Sequence, residues 1–150
     1  MTSEVMFSAT RRHALRLAPL MTTYALDALK KNRVSMLLFG GSEAERRAFA
    51  SSVPPELDGA AFVEAKDAAA LEKTFNQTKS VVYVPDVAAL PPVSQRALVR
   101  VLREKEERSK YVIGLGTSPD TALEKGALTE DLRFWLRQAT VDVKARAARR

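Results

Sequence analysis

The chain has 150 residues, no cysteine and a formal net charge of +6, and its length favours a single domain. Without cysteine it can form neither disulfides nor thiolate metal sites, so the cytoplasm is the default compartment. No apolar run approaches the roughly 20 residues that cross a bilayer, so no membrane partner is expected.

The first half of the chain predicts helices separated by apolar strands. Apolar residues recur at near-helical spacing over residues 8–31, and Pro19 predicts a kinked helix or two short ones there. Residues 34–39 predict a buried strand that two glycines close. Ser42 then begins a helix, and Glu45 completes a capping box with it.

The middle of the chain continues the alternation. Residues 54–59 predict a turn and residues 60–65 a short strand. A helix over residues 67–77 follows, with Asp67 as its N-cap. Residues 80–84 are continuously apolar after the first serine and predict another buried strand.

The last part of the chain predicts one longer helix, over residues 93–105, followed by shorter elements. A strand at 111–117, a turn and short helix at 118–126, a helix at 130–138 and a strand at 139–143 come next. The inner side of the longer helix is expected to carry five apolar residues, namely Val93, Ala97, Leu98, Val101 and Leu102.

Helices that alternate with continuously apolar strands are typical of a parallel sheet covered on both faces. We therefore predict an α/β fold, a three-layer α/β/α sandwich with a mainly parallel sheet of about five strands. Residues 1–143 are expected to form one domain and residues 144–150 a basic tail.

A resemblance to a known family appears in residues 81–104, "VVYVPDVAALPPVSQRALVRVLRE". This stretch resembles the second nucleotide motif of the AAA+ domain in sigma-54-dependent transcription activators (bacterial enhancer-binding proteins). Leu90-Pro91, Gln95, Leu98 and residues 100–102 stand in register with that motif. Residues 111–136 resemble the sensor turn and arginine-finger segment, and residues 36–49 fall at the phosphate loop. The resemblance covers roughly residues 11–143 and implies a P-loop NTPase fold.

The chain departs from the family at the phosphate loop. Gly40 matches the first glycine, but Glu45 stands at the later glycine, Arg46 at the lysine and Arg47 at the hydroxyl residue. Glu43 replaces another glycine of the activators. Two carboxylates at this place would repel a triphosphate, so the resemblance implies a degenerate loop.

The other catalytic positions also differ. Pro85 occupies the place of the magnesium-binding Asp and Asp86 that of the Glu which polarises water, and "PD" is typical of a turn after a strand. Thr129 and Trp135 stand at the two arginine fingers. Of the sensor turn only Thr117 is retained.

Trp135 lies at helical spacing from Leu128, Leu132 and Leu136. It is therefore expected in the core rather than at a ligand. The stretch before residue 80 is too short for the sigma-contacting GAFTGA hairpin, and a helical lid subdomain is not expected either.

These departures predict a non-catalytic AAA+-like interaction module in bacterial regulation, which self-associates or docks on another regulator. No catalytic, cofactor-binding or metal residue and no cofactor are expected, and His13 is interpreted as a lone surface histidine. Acidic partners are favoured by a set of arginines, Arg46, Arg47, Arg96, Arg100 and Arg103. The alternatives are a nucleic-acid-binding accessory protein that uses the basic tail, and an unconventional ATP-binding protein with Arg46 in place of lysine.

Overall fold

The computed structural model describes residues 28–144 of the chain. The helix predicted over 8–31 lies outside this range except for residues 28–31, which are helical. The basic tail, apart from Lys144, and His13 lie outside it as well. Among the helices of the described range, none combines the length and the apolar character that a membrane span requires.

In the described part of the chain, five parallel strands form one sheet. Its strand order is β2-β3-β4-β1-β5, so the two edges are β2 and β5. The strands are β1 (Met36–Phe39), β2 (Ala61–Glu64), β3 (Ser80–Val84), β4 (Lys110–Leu115) and β5 (Thr140–Asp142). The mainly parallel, five-stranded sheet that the sequence predicts is thereby confirmed.

Helices cover both faces of this sheet. They are α1 (Glu43–Ser51), α2 (Ala68–Thr74), α3 (Pro92–Glu104), α4 (Pro119–Glu124) and α5 (Glu130–Leu136). Successive strand residues point to opposite faces, so Leu37 packs in the core with α3 and α5, whereas Met36 and Leu38 pack with α1. Two apolar cores therefore flank the sheet, which confirms the three-layer α/β/α sandwich.

Local capping signals set the helix starts. The Ser42 hydroxyl accepts the Glu45 N–H, and the Glu45 carboxylate accepts the Ser42 N–H, so the predicted capping box is confirmed. The Asp67 side chain accepts the Ala70 N–H at 2.8 Å and caps α2 as predicted.

The fully buried Gln95 ties α3 to two neighbouring loops. Its Nε2 donates to the carbonyls of Val87 (3.2 Å), Leu90 (3.2 Å) and Ala127 (2.8 Å). Its Oε1 accepts the Thr129 N–H at 2.9 Å. One side chain thus holds the turn after β3 and the start of α5 in place.

The buried Lys110 closes the end of the helix at residues 28–31. Its Nζ donates to the carbonyls of Leu29, Asn32 and Val34, and a cation at a helix C-terminus also interacts favourably with the helix dipole. Because Val34 takes part in this cap, β1 begins at residue 36 rather than at the predicted residue 34.

The inner side of α3 differs from the prediction at two of the five residues, because Val93 is exposed and Ala97 is only half-buried. Val93 is 61% exposed, whereas Gln95 and Val99 are buried along with Leu98. The amide of Gln95 is needed inside because it satisfies loop carbonyls, and this rotates Val93 to the outside.

Candidate functional site

The candidate site lies at the edge of the sheet where the parallel strands end. The segments that follow β1, β3 and β4 are residues 40–42, 85–86 and 116–117. In open α/β sheets, ligands bind at the carboxyl ends of the strands. The sheet therefore gathers the phosphate-loop, second-motif and sensor positions on one edge, as the resemblance implies.

The loop after β1 turns through two left-handed glycines. Gly40 has a φ of 77° and Gly41 a φ of 64°, a region that side chains rarely adopt. A Cβ at Gly41 would lie 2.8 Å from Oε1 of Glu45. The Glu45 carboxylate therefore packs directly against the loop.

Glu45 already occupies a backbone donor of this loop. Its Oε1 accepts the Ser42 N–H at 2.8 Å, and the Ser42 hydroxyl accepts the Glu45 N–H at 3.1 Å. Backbone N–H groups at the start of a helix are the donors that phosphate groups use. One such donor is here bonded to a carboxylate of the chain itself.

Arg46 places a guanidinium within the same loop. The residue is 6% exposed, and its Nη1 donates to the carbonyls of Gly40 (3.1 Å) and Gly41 (3.0 Å). Its Nε is buried and has no hydrogen-bond partner among residues 28–144. The side chain at the lysine position of the family thus binds loop carbonyls.

Glu43 and Arg47, the other two loop positions that depart from the family, form a charged cluster with Glu64 on β2 and Tyr83 on β3. Arg47 forms ion pairs with Glu64 and, at 3.1 Å, with Glu43, and its guanidinium lies 5.2 Å from the ring centre of Tyr83. The Tyr83 hydroxyl donates to Glu43 at 2.9 Å. Phe62 stacks on the Tyr83 ring, with 6.1 Å between ring centres. Both Glu43 and Arg47 are therefore held by neighbours within the chain.

The electrostatics of this cluster follow from its contacts. The hydrogen bond from Arg47 lowers the pKa of Glu64, and the same bond raises the pKa of Arg47. Burial, followed by the hydrogen bond to Glu43, raises the pKa of the Tyr83 hydroxyl. Glu64 is thus held ionised and the Tyr83 hydroxyl protonated, so Tyr83 donates while Glu43 accepts.

The segment after β3 is a strand exit followed by a short turn. Asp86 is exposed, and its carboxylate accepts the Ala88 N–H at 3.1 Å, which caps a 3-10 turn at Val87–Ala89. Pro85 leaves the sheet beside β4, where a Cβ on Gly114 would lie 2.5 Å from its carbonyl oxygen. The glycine therefore permits this close approach, and the turn predicted for "PD" is confirmed.

Trp135 is not in the core, which corrects the prediction. The side chain is 43% exposed, whereas Leu132 and Leu136 on the same helix are buried. Phe134, 54% exposed, meets Trp135 edge to face, and Arg137 stacks on the Phe134 ring at 3.9 Å. The short helix turns only its Leu132–Leu136 side inward, so the tryptophan falls on its flank.

The other departures are placed as follows. Thr129 caps α5 by accepting the Leu132 N–H, while Arg133 donates to Thr140. Thr117 is exposed in the turn before α4. Residues 75–79 alone join α2 to β3. Within residues 28–144, no group of three or more His, Asp or Glu side chains could hold a metal ion.

Solved structures with the same fold include two bacterial proteins. The P-loop NTPase domain described for a sigma-54 transport activator from E. coli superposes with a TM-score of 0.64 at 17% identity, over 83% of this chain and 96% of that domain. NtrX from Brucella abortus, in complex with ADP, gives a TM-score of 0.61 at 19% identity. That match covers 85% of this chain but only 36% of NtrX. The chain has the fold of a sigma-54-activator AAA+ core.

More distant proteins also share this fold. A DNA polymerase III gamma subunit-related protein from Thermotoga maritima gives a TM-score of 0.56 at 13% identity, over 79% of this chain and 44% of that protein. No protein-family model matches the sequence, and no curated protein matches it. At these identities the similarity establishes the fold alone, and the chemistry has to be argued from the residues of this chain.

Sequence reasoning missed two members of the charged cluster. Glu64 and Tyr83 lie on neighbouring strands, where Glu64 pairs in register with Tyr83. The signal that could have found Glu64 is a lone acid at the end of an otherwise apolar strand. Its contact with Arg47, 17 residues earlier, depends on how α1 crosses the sheet.

Proposed function

We propose that this chain is a non-catalytic AAA+-like module that binds another protein in bacterial regulation. The observation that carries the proposal is the hydrogen bonding of Arg46 to the carbonyls of Gly40 and Gly41. A working phosphate loop directs backbone N–H groups around the phosphates. A loop whose carbonyls are turned to an internal guanidinium does not present that arrangement.

The charges around the loop support the same proposal. Glu43 and Glu45 place two carboxylates at the start of α1, where a triphosphate would need to approach. The carboxylates and the phosphates are both negatively charged and repel each other, and the helix N-terminus already interacts with these two acids. A nucleotide would have to displace side chains that are bonded to Ser42 and Tyr83.

The second-motif position supports it further. Pro85 offers no side-chain oxygen to magnesium, and the Asp86 carboxylate is engaged with the Ala88 N–H. Thr129 at a finger position caps its own helix. We infer that the scaffold serves association rather than hydrolysis, with the cytoplasm as its compartment and a regulator or a second copy as its partner.

Thermal unfolding with and without magnesium and ATP tests the proposal. A ligand that binds only the folded state stabilises it by about 2.7 kcal/mol when present at 100 times its Kd, which raises the melting temperature by several degrees. We expect saturating ATP or ADP to leave the melting temperature unchanged and no phosphate to be released.

The unconventional ATP-binding alternative makes the opposite prediction. A rise in melting temperature that is retained in Arg46→Lys and lost in Arg46→Ala would overturn the proposal. Equilibrium dialysis with labelled ATP gives a second measurement on the unmodified chain, so a variant that fails to fold does not decide the outcome.

A further inference from the structure

The outer face of α3 carries three exposed arginines, which we call the arginine stripe: Arg96, Arg100 and Arg103. Residues three and four apart on a helix lie on the same side, so spacings of four and three align these side chains. From the first to the last, the stripe extends over about 10.5 Å, because the rise is about 1.5 Å per residue. The stripe therefore presents about two turns of positive charge.

Little within the described residues neutralises the stripe. Arg103 pairs with Glu104 at 2.8 Å, and both side chains are more than half exposed, so this pair contributes little stability. Arg96 and Arg100 form no hydrogen bond or ion pair with any residue of the range 28–144. Arg46 and Arg47, which the sequence groups with them, are engaged elsewhere: Arg46 binds loop carbonyls and Arg47 pairs with Glu64. Of the five arginines that the sequence groups, three therefore lie together on one exposed face.

An open groove of about 480 Å³ runs beside the stripe between α2 and α3. Phe75, Ala97 and Val101 supply its apolar part, and Glu72 and Glu104 add carboxylates to its lining. The Lys105 Nζ donates to the Phe75 carbonyl at 2.7 Å and fixes the junction of the two helices. The surface therefore combines an apolar depression with a row of cations.

We propose that the arginine stripe and this groove dock an acidic amphipathic helix of another protein. Such a helix places apolar side chains in a groove, and carboxylates at positions i, i+4 and i+7 match the spacing of Arg96, Arg100 and Arg103. This inference deepens the proposed function, on which it rests, by assigning the partner-binding face and the chemistry of the partner.

The groove favours a protein partner over a nucleic acid. Phosphate backbones are bound by surfaces rich in unopposed cations, whereas Glu72 and Glu104 line this groove together with Arg100. Those carboxylates would repel phosphates. They can pair with lysines or arginines that flank the acidic side of a helix, so the mixed charge fits a peptide.

A synthetic labelled helical peptide provides the probe. It carries glutamates at positions i, i+4 and i+7 and leucines on the adjacent side, and its binding to the full chain is measured by fluorescence anisotropy at low salt. We expect Arg96→Glu/Arg100→Glu to weaken binding by about tenfold or more, since charge reversal converts attraction into repulsion. Ala97→Gln, which fills the groove without a change of charge, should weaken it as well.

The matched control is Lys125→Glu, an exposed lysine in the turn after α4 whose side chain forms no hydrogen bond or ion pair in the described part of the chain. It changes the charge by the same amount per site and should leave the affinity unchanged. Circular dichroism melts of every variant verify that the fold is kept. If Lys125→Glu weakened binding as much as one reversal in the stripe, net charge would account for the binding and the proposal would fail.

Other occupants give other results. Equal binding of a peptide with lysines in place of the glutamates would overturn the proposal, as would the absence of any binding. Tighter, stripe-dependent binding of duplex DNA would assign the surface to nucleic acid. Loss of an oligomer on charge reversal, measured by sedimentation, would assign it to a second copy. None of these results affects the nucleotide test, so the two proposals fail independently.

Discussion

Replacing Gln95 by alanine should destabilise the domain by about 3–5 kcal/mol. The substitution removes the side-chain partner of the Leu90 and Ala127 carbonyls and of the Thr129 N–H. A buried polar group left without its partner costs about 1–3 kcal/mol, and the lower end applies to Ala127 and Thr129, whose bonds are only partly buried. The Val87 carbonyl still accepts the Leu90 N–H, so the loss of Gln95 costs less at this group.

This loss is a large fraction of the 5–15 kcal/mol that typically stabilises a domain. Urea unfolding measures it, with circular dichroism and the fluorescence of Trp135, the single tryptophan, as two probes. The control is Arg96→Ala on the same helix, exposed and without a partner in the described range, for which we expect a change within about 0.5 kcal/mol. A loss below about 1 kcal/mol for Gln95→Ala would refute the assignment of Gln95 as the element that joins these loops.

Gln95→Glu separates hydrogen bonding from packing, because the shape is kept. The carboxylate can still accept from Thr129, but an ionised oxygen replaces the donor that faces the Ala127 carbonyl. Only the protonated acid can donate, so the fold should raise the pKa of this carboxyl. Its contribution to stability would be present at low pH and lost as the pH rises through the folded-state pKa.

Three further substitutions test the roles of Lys110, Trp135 and Leu136. Lys110→Met should lower the free energy of unfolding in urea by about 2–4 kcal/mol, because the helix-end carbonyls lose their donors. Burial lowers the pKa of Lys110 from 10.5 to about 8. Between these pH values the unfolded chain therefore binds more protons than the folded chain, so the stability of the wild type should rise with pH relative to Lys110→Met. Stability that falls relative to the variant across this interval would contradict the assignment. Trp135→Ala should lower the free energy of unfolding by about 1 kcal/mol or less and Leu136→Ala by about 2–5 kcal/mol, because only Leu136 is buried. Equal losses of stability in the same unfolding assay would place Trp135 back in the core.

The parts of the fold that the sequence predicts well depend on neighbours a few residues away. A capping box joins Ser42 and Glu45 across three residues, and Asp67 caps the helix that follows it. Continuously apolar runs are typical of strands that are covered on both faces. The approximate positions of the strands and the helix caps can therefore be argued from the sequence.

The parts that failed depend on contacts between distant segments. The reason for burying Lys110 is a helix end 81 residues earlier, and nothing around residue 110 indicates it. Val93 and Trp135 are apolar and sit at helical spacing, yet each lies to one side of the face that its helix buries. Hydrophobic periodicity gives the width of an inner face, whereas the packing partners decide where it is centred.

At the candidate site, the resemblance located the positions that depart from the family but not what their side chains do. The sequence groups Arg46 with four other arginines as a feature for an acidic partner, although its side chain folds back onto carbonyls five and six residues earlier. A long, flexible side chain has many rotamers, and its choice depends on the glycine conformations of the loop. The sequence therefore shows the charge of Arg46 but not the direction in which its side chain points.

The ion pair between Arg47 and Glu64 has a consequence for how the sheet meets other molecules. Glu64 lies on β2, an edge strand of four residues, and Lys66 follows it at 3.8 Å from the same carboxylate. Short edges with fixed charges resist the addition of a foreign strand, which is a common start of aggregation. The opposite edge, β5, has only three residues. Strand pairing between two chains is thus disfavoured at both edges of the sheet, so other molecules are expected to contact the faces that the helices cover.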